Sequence, residues 1–170
     1  MATSVGKEDD KLEMLQDLIK LDLAAAEAYD AAIERLDDAS YRQQLGEFMR
    51  DHQRHVAELS PIVRQMGGEV PDSGGAKELL TEGKVAMSSL MGDDAILKAM
   101  KTNEDDTNTA YERVAEKCPV EARDIVTRGL ADERRHREWI MAQLGEGTVR
   151  SEGRPRGVQD ESRPGYQGPR

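Results

Sequence analysis

The residues best suited to chemistry in this chain are three acids and three histidines that interrupt the apolar faces of predicted helices. They are Asp22, His52, His55, Glu104, Glu133 and His136, and they include every histidine of the chain. Apolar residues spaced by three and four mark the inward face of a helix, and these six stand in that series. Buried carboxylates are costly unless they are paired, hydrogen-bonded or bound to metal. Carboxylates with imidazoles suit iron, manganese or zinc, so the sequence predicts a metal site.

The chain carries this arrangement twice. Residues 51–55 read DHQRH and residues 132–136 read DERRH, which share the pattern D-x-x-R-H. A single acid precedes a tyrosine by seven residues in each half, and the pairs are Asp22 with Tyr29 and Glu104 with Tyr111. The interval from that acid to the last histidine is 33 residues in the first half and 32 in the second. This agreement indicates a duplicated helical hairpin whose halves each supply half of one site.

Four helices must position these residues. The apolar period predicts helix 1 over about 9–37, helix 2 from an N-cap at Ser40 to Gly67, helix 3 from about Leu97 to Cys118, and helix 4 over about 120–144. Residues 67–95 are predicted to be a long connection, with a short helix over 76–91. Two hairpins joined by one long crossover describe an all-α four-helix bundle of the ferritin-like arrangement.

Each predicted hairpin brings its single acid level with a pair of residues spaced i, i+3. The midpoint between Asp22 and the His52/His55 pair falls at residues 37–38, in the first predicted turn. The corresponding midpoint in the second half falls at Pro119, in the second turn. Residues spaced i, i+3 are about 4.5 Å apart along a helix axis and share a face, so both members of a pair can point inward.

Length and composition limit the other possibilities. The chain has 170 residues, which predicts a single domain. Its net charge of −10 predicts that phosphate backbones and anionic lipids repel it. The bundle is predicted over residues 1–145, followed by a flexible Gly/Pro/Arg-rich tail over 146–170. The single cysteine excludes an intrachain disulfide, and the sequence shows neither a signal peptide nor an apolar span. We therefore expect a cytoplasmic protein, assembled as a homodimer, that binds neither nucleic acid nor membrane.

The repeated pattern resembles the ferritin-like superfamily, in particular rubrerythrin-type and related small bacterial ferritin-like domains. The pattern is a carboxylate, a tyrosine seven residues later and then Glu-x-x-His, and the resemblance covers about residues 9–144. Members of that superfamily hold two iron or manganese ions in the centre of the bundle. The resemblance implies that Asp22 and Glu104 are the single carboxylate ligands, that Glu133 and His136 form one complete pair, and that His55 is the other histidine.

His52 departs from this pattern, because it stands where the superfamily has a glutamate that bridges the metals. A neutral imidazole cannot bridge two ions without losing a proton, so both a mononuclear site and a di-iron site remain open. Three further residues are predicted to support the ligands from behind. Tyr29 and Tyr111 would donate O–H groups to Asp22 and Glu104, with plain core packing as the alternative, and Glu27 lies within reach off the apolar face.

The first functional hypothesis is a ferritin-like metal-binding protein that oxidises Fe(II) or reacts with O2 or peroxide in stress protection. Such an activity would make it an oxidoreductase of the ferroxidase or peroxidase type. The alternative is a non-enzymatic bundle whose metal site, for example for zinc, is structural or decayed, and which acts as an interaction or stress protein. A third hypothesis is a metal-free core in which the acids and histidines form hydrogen-bonded ion pairs.

Overall fold

The computed structural model describes residues 3–72 and 90–146, and within these ranges the chain is all-helical. The elements are α1 (Lys11–Ile33), α2 (Ala39–Gln65), α3 (Asp93–Lys117), a 3-10 turn (Val120–Ala122) and α4 (Arg123–Gln143). The predicted all-α four-helix bundle is confirmed. The predicted short helix over 76–91 lies outside the described residues except for its last two, which are not helical, and residues 147–170 of the predicted tail also lie outside them.

The first hairpin turn is longer than predicted. Helix α1 ends at Ile33, not at residue 37, because the chain leaves the helix to meet α3. The backbone N–H groups of Asp37 and Asp38 donate to the carboxylate of Asp93, at 2.8 and 3.0 Å. The assignment of Ser40 as N-cap of α2 was wrong. Asp38 is the cap, since its carboxylate accepts from the backbone N–H of Ser40 at 2.7 Å and of Tyr41 at 3.2 Å.

The second hairpin turn lies where the sequence places it. Helix α3 begins at Asp93 and ends at Lys117, directly before Cys118 and Pro119. Proline disfavours the helical conformation at the residue before it, and Cys118 is extended with ψ of 156°. A single 3-10 turn follows, so α4 begins at Arg123 rather than at residue 120.

The helices of the two hairpins run antiparallel to their counterparts. Tyr29 and Tyr111, which stand late in α1 and α3, each bond an acid that stands earlier in the opposite helix. In the same reciprocal way, Arg54 of α2 bonds Asp132 of α4, and Arg135 of α4 bonds Asp51 of α2. An approximate twofold axis therefore relates the hairpins, as a duplicated sequence requires.

The buried acids and histidines form a polar layer between two apolar clusters. One cluster lies toward the start of α1 and includes Leu15, Leu18 and Leu59. The other lies toward the end of α1 and includes Phe48 and Met100. The polar layer is therefore shielded from water on both sides along the bundle. No helix in the described ranges combines the length and apolarity needed to cross a membrane.

Candidate metal centre

The structure brings all six predicted site residues together at the centre of the bundle. Helix α1 supplies Asp22, α2 supplies His52 and His55, α3 supplies Glu104, and α4 supplies Glu133 and His136. Five of these residues are 0% exposed and His55 is 2% exposed. Helical hairpins with turns at 34–38 and 118–119 place the acids and the i, i+3 pairs at the same height, so a short stretch of each helix is enough to build the cluster.

The possible ligand atoms fall into two overlapping groups. The first group consists of Asp22, His52, His55 and Glu133, and the second of His52, Glu104, Glu133 and His136. In each group the ligand atoms lie within 4.8 Å of one another. His52 and Glu133 belong to both groups, so they lie between the two positions that an ion could take.

The first group is the more compact. Nδ1 of His52 is 2.9 Å and Nδ1 of His55 is 3.4 Å from the same oxygen of Asp22, Oδ1. Both Nδ1 atoms lie 3.5 Å from Oε1 of Glu133. In the second group Nε2 of His52 lies 3.8 Å from Glu104 and Nδ1 of His136 lies 3.7 Å from the same carboxylate.

Several atoms of the cluster lack a hydrogen-bond partner. Among the described residues six buried side-chain atoms have none, and five of them are in this cluster. These five are His52 Nε2, Glu104 Oε2, Glu133 Oε1, Glu133 Oε2 and His136 Nδ1. Unsatisfied polar atoms are rare in protein cores, and each costs free energy. Their concentration at one point fits a site that binds a cation.

The pKa values of the three acids differ in direction. Burial opposes the ionisation of Asp22, but its hydrogen bonds with His52 and His55 hold its pKa below the ordinary value. Burial also opposes ionisation of Glu104, whose histidine partners nevertheless lower its pKa to about 2. Glu133 has no hydrogen bond with the described residues, and burial raises its pKa to about 7. A proton on Glu133 therefore reduces the negative charge of this core, and a metal ion would displace it.

The two tyrosines bond the acids across the bundle. The Tyr29 hydroxyl donates to Glu104 Oε1 at 2.6 Å, and the Tyr111 hydroxyl donates to Asp22 Oδ2 at 2.8 Å. Each tyrosine therefore bonds the acid of the opposite helix and not the acid seven residues before it in its own helix. Burial, with the nearby carboxylates, raises both tyrosine pKa values well above normal, and both remain O–H donors.

Two aspartates hold the outer nitrogens of the histidines. Asp132 lies 3.2 Å from Nε2 of His55, and Asp51 lies 3.0 Å from Nε2 of His136. When Nδ1 carries no proton, a histidine that donates Nε2–H to a carboxylate presents the lone pair of Nδ1 on its other side, here toward the centre of the cluster. These two aspartates were not among the predicted site residues. The signal was present, however, because each is the first residue of the repeated D-x-x-R-H.

Arg54 and Arg135 neutralise these aspartates. Each arginine bonds the aspartate of its own helix and also that of the opposite helix. The four charges sum to zero, and the aspartates are only 14% exposed while the arginines are about half exposed. The arrangement closes the solvent-facing side of the cluster between α2 and α4. It also joins the two hairpins directly behind the histidines.

The remaining support comes from Asn108, which the sequence did not single out. The amide of Asn108 donates to the backbone carbonyls of Glu104 and Glu133, at 2.9 and 3.0 Å, and so ties α3 to α4 at the site. Glu27, predicted to support the ligands, is half-buried on α1 and belongs to neither group of ligand atoms. A supporting role for Glu27 stays a prediction.

Gly129 provides the space that Tyr111 occupies. A Cβ atom at Gly129 would overlap the Tyr111 ring, whereas one at Gly46 of α2 would meet no atom closer than 4.0 Å. We expect Gly129→Ala to lower the free energy of unfolding by about 1–3 kcal/mol through overpacking. The matched Gly46→Ala should instead raise it by a few tenths up to about 1 kcal/mol, because alanine favours the helix. Urea unfolding of both variants tests this, and equal effects would contradict the proposed role of Gly129.

Fold and cluster together define a four-helix bundle with a buried carboxylate and histidine centre that could hold a metal ion. The chain belongs to the family described as domain of unknown function DUF2383, which matches residues 10–117. The matched part contains Asp22, His52, His55 and Glu104, and α4 with Glu133 and His136 follows it. Neither the curated proteins nor the solved structures include a match to this chain.

Proposed function

We propose that the chain is a ferritin-like metalloprotein that binds iron, or manganese, in the bundle core and oxidises Fe(II) or reacts with O2 or peroxide in stress protection. The ligands would be the six residues of the cluster, with Tyr29 and Tyr111 bonded to two of the carboxylates. The observation that carries the proposal is the convergence of five unpartnered buried atoms among three carboxylates and three imidazoles. Such oxygen and nitrogen donors fit divalent iron, manganese and zinc.

Bound iron would supply the electrons that reduce the oxidant. The residues of the chain do the rest. The apolar clusters on both sides exclude bulk water, and the tyrosine O–H groups fix the orientation of Asp22 and Glu104. Asp51 and Asp132 hold His136 and His55 with Nδ1 directed inward. Within the described part of the chain the two oxygens of Glu133 accept no hydrogen bond, so this side chain can change its contacts as the charge in the core changes.

Metal content is the first test of the proposal. Protein purified without an affinity tag should contain one to two equivalents of iron or manganese by elemental mass spectrometry, because the cluster offers two groups of ligand atoms. A variant with alanine at Asp22, Glu104 and Glu133 should contain none. Loaded protein should then consume O2 or peroxide on addition of Fe(II), and His136→Ala should lose this activity while it keeps its helical circular dichroism. Loaded protein that consumes neither oxidant would overturn the proposed reaction.

A structural ion is the second candidate function, favoured by the composition of the first group. Four side chains surround that position, and structural zinc sites are closed by four protein ligands. In that case the protein, loaded with zinc, would consume no oxidant and would serve as a stable interaction or stress protein. The metal present in the purified protein, together with consumption of O2 or peroxide by the iron-loaded protein, separates the two functions.

The aspartates behind the histidines should control metal affinity. Asp51→Asn and Asp132→Asn keep the shape of the side chain but weaken its hold on Nε2 of His136 and His55. Loss of such partners typically lowers metal affinity about 10–100-fold, and we expect that range for each variant. Competition with a chromophoric chelator measures it. Asp30→Asn, on the exposed side of α1, is the control and should leave the affinity unchanged. Unchanged affinity in both test variants would contradict the role of the aspartates.

A further inference from the structure

The two halves of the site differ in ligand type at a single pair of positions. Under the twofold relation Asp22 corresponds to Glu104, and His55 corresponds to His136, so these pairs keep an acid opposite an acid and a histidine opposite a histidine. His52, in contrast, corresponds to Glu133. A symmetric centre would need the same residue type at both of these shared positions. The effect of having histidine at one of these positions and glutamate at the other depends on the orientation of the His52 ring.

The ring of His52 is turned toward the first group. Its Nδ1 lies 2.9 Å from Asp22 Oδ1 and 3.5 Å from Glu133 Oε1, whereas its Nε2 lies 3.8 Å from Oε1 of Glu104. A neutral imidazole offers one lone pair. Ligation through Nδ1 leaves Nε2–H pointing at Glu104, where it is an electrostatic partner and not a competing ligand. His52 therefore completes the first group and cannot also serve the second.

The nitrogen and oxygen atoms of the first group lie near the spacing that a tetrahedral ion requires. Bonds of about 2.0–2.2 Å in a tetrahedron place neighbouring ligand atoms about 3.3–3.6 Å apart. Three of the four measured separations are 3.4 or 3.5 Å, and the fourth, which a hydrogen bond now shortens, is 2.9 Å. These four nitrogen-to-oxygen separations fit a tetrahedral ion, and the four ligand atoms as a set lie within 4.8 Å of one another.

The second group then has fewer ligands. Without His52 it consists of Glu104, Glu133 and His136. Sites with three protein ligands keep positions open for water or a substrate, as catalytic metal sites do. It is also poorer in charge, because three carboxylates face two divalent ions and two of those carboxylates already serve the first ion. The second ion should therefore bind more weakly and exchange more readily.

We propose that His52 makes the centre unequal. The group of Asp22, His52, His55 and Glu133 is a closed, tetrahedral, high-affinity site, and the group of Glu104, Glu133 and His136 is an open, weaker site at which exogenous ligands bind. This inference rests on the proposed metal binding and specifies which of the two positions binds an ion tightly and which binds it weakly. It assigns any reaction with an oxidant to the second position.

Cobalt(II) titration of metal-free protein without oxygen tests the proposal. Tetrahedral cobalt(II) absorbs visible light far more strongly than octahedral cobalt(II), so the coordination of each equivalent can be followed directly. We expect the first equivalent to produce the strong tetrahedral absorption. The second should bind at least about tenfold more weakly, with little added absorption and with a response to azide.

The matched variants Asp22→Asn and Glu104→Gln separate the two positions. Asp22→Asn should abolish the tetrahedral absorption of the first equivalent, and Glu104→Gln should preserve it and eliminate the weaker event. His52→Glu should replace the strong absorption with two equivalents of similar affinity. Circular dichroism confirms that each variant is folded.

Equal binding of both equivalents to the wild type, equal effects of the two matched variants, or binding of no cobalt would each overturn the inference. The proposed function fails separately. Protein that shows two unequal cobalt sites but, when loaded with iron, consumes neither O2 nor peroxide would retain the inference and lose the proposed reaction. Two equal sites with oxidant consumption would give the reverse result.

Discussion

Replacement of Glu133 by methionine is expected to abolish tight metal binding and to stabilise the metal-free protein. Glu133 belongs to both groups of ligand atoms, so its loss affects both positions. Without metal its carboxylate is fully buried and neither oxygen accepts a hydrogen bond from the described residues. Replacing a poorly compensated buried ionisable group with an apolar side chain of similar size should raise the free energy of unfolding by about 1–3 kcal/mol.

The gain should depend on pH. Burial raises the pKa of Glu133 from 4.5 to about 7 in the folded protein. A raised carboxyl pKa favours the folded state below pH 4.5, and that contribution is lost as the pH rises through about 7. Glu133→Met does not undergo this loss of stability. The difference in free energy of unfolding between the variant and the wild type should therefore be larger above pH 7 than near pH 4.5. Urea unfolding of metal-free protein at both pH values measures it.

Glu138→Met is the control for this experiment, because Glu138 is exposed on the same helix. It should change neither metal binding nor the pH dependence of stability. A Glu133→Met protein that is less stable than the wild type at every pH would show that Glu133 stabilises the metal-free core through His52 and His55. Retention of tight metal binding by this variant would contradict a shared role for Glu133.

Metal loading is expected to produce the second large effect, a rise in the stability of the wild type. An ion that binds only the folded state adds about 2.7 kcal/mol to the free energy of unfolding when its free concentration is 100 times the dissociation constant. Calorimetry with and without iron(II) or zinc(II) measures this effect as a rise in Tm, which excess chelator should reverse. The variant with alanine at Asp22, Glu104 and Glu133 should show no rise. The same rise in wild type and variant would place the bound ion elsewhere.

The six residues of the cluster were predictable because polar side chains on an apolar helical face have few explanations. Asp22 and Glu104 each interrupt a series of apolar residues spaced by three and four, and the structure buries both completely. The repetition of D-x-x-R-H fixed the relation between the hairpins. Helix type and pairing followed from the same pattern, since the hairpin turns determine which residues share a height.

The partners of the tyrosines were not predictable in the same way. The interval of seven residues between Asp22 and Tyr29 is a property of one helix, whereas the hydrogen bond of Tyr29 is made to Glu104 on another. The choice of partner depends on α1 and α3 packing antiparallel, and a single sequence does not specify that packing. The support from Asn108 and Gly129 depends on the same contacts between helices.

The ends of the helices were the least predictable feature of the fold. The apolar period of α1 continues to Leu36, which is buried, although the helix ends at Ile33. Contact with Asp93, which lies 55 and 56 residues away along the chain, draws the backbone of Asp38 and Asp37 out of the helix. The helical preference of the residues at the end of α1 cannot reveal a hydrogen-bond acceptor so distant in sequence.

The crossed contacts also determine the order in which the molecule can assemble. Each hairpin joins residues that are close along the chain, whereas the bonds of Tyr29, Tyr111, Arg54 and Arg135 across the hairpins span 75 to 89 residues. Contacts between distant residues form late, because a long loop must close first. The hairpins should therefore form early and dock slowly, and an ion bound by residues of both hairpins would oppose their separation. Hydrogen exchange of the α2 and α4 amides should then slow when metal is bound, because separation of the hairpins would require release of the ion.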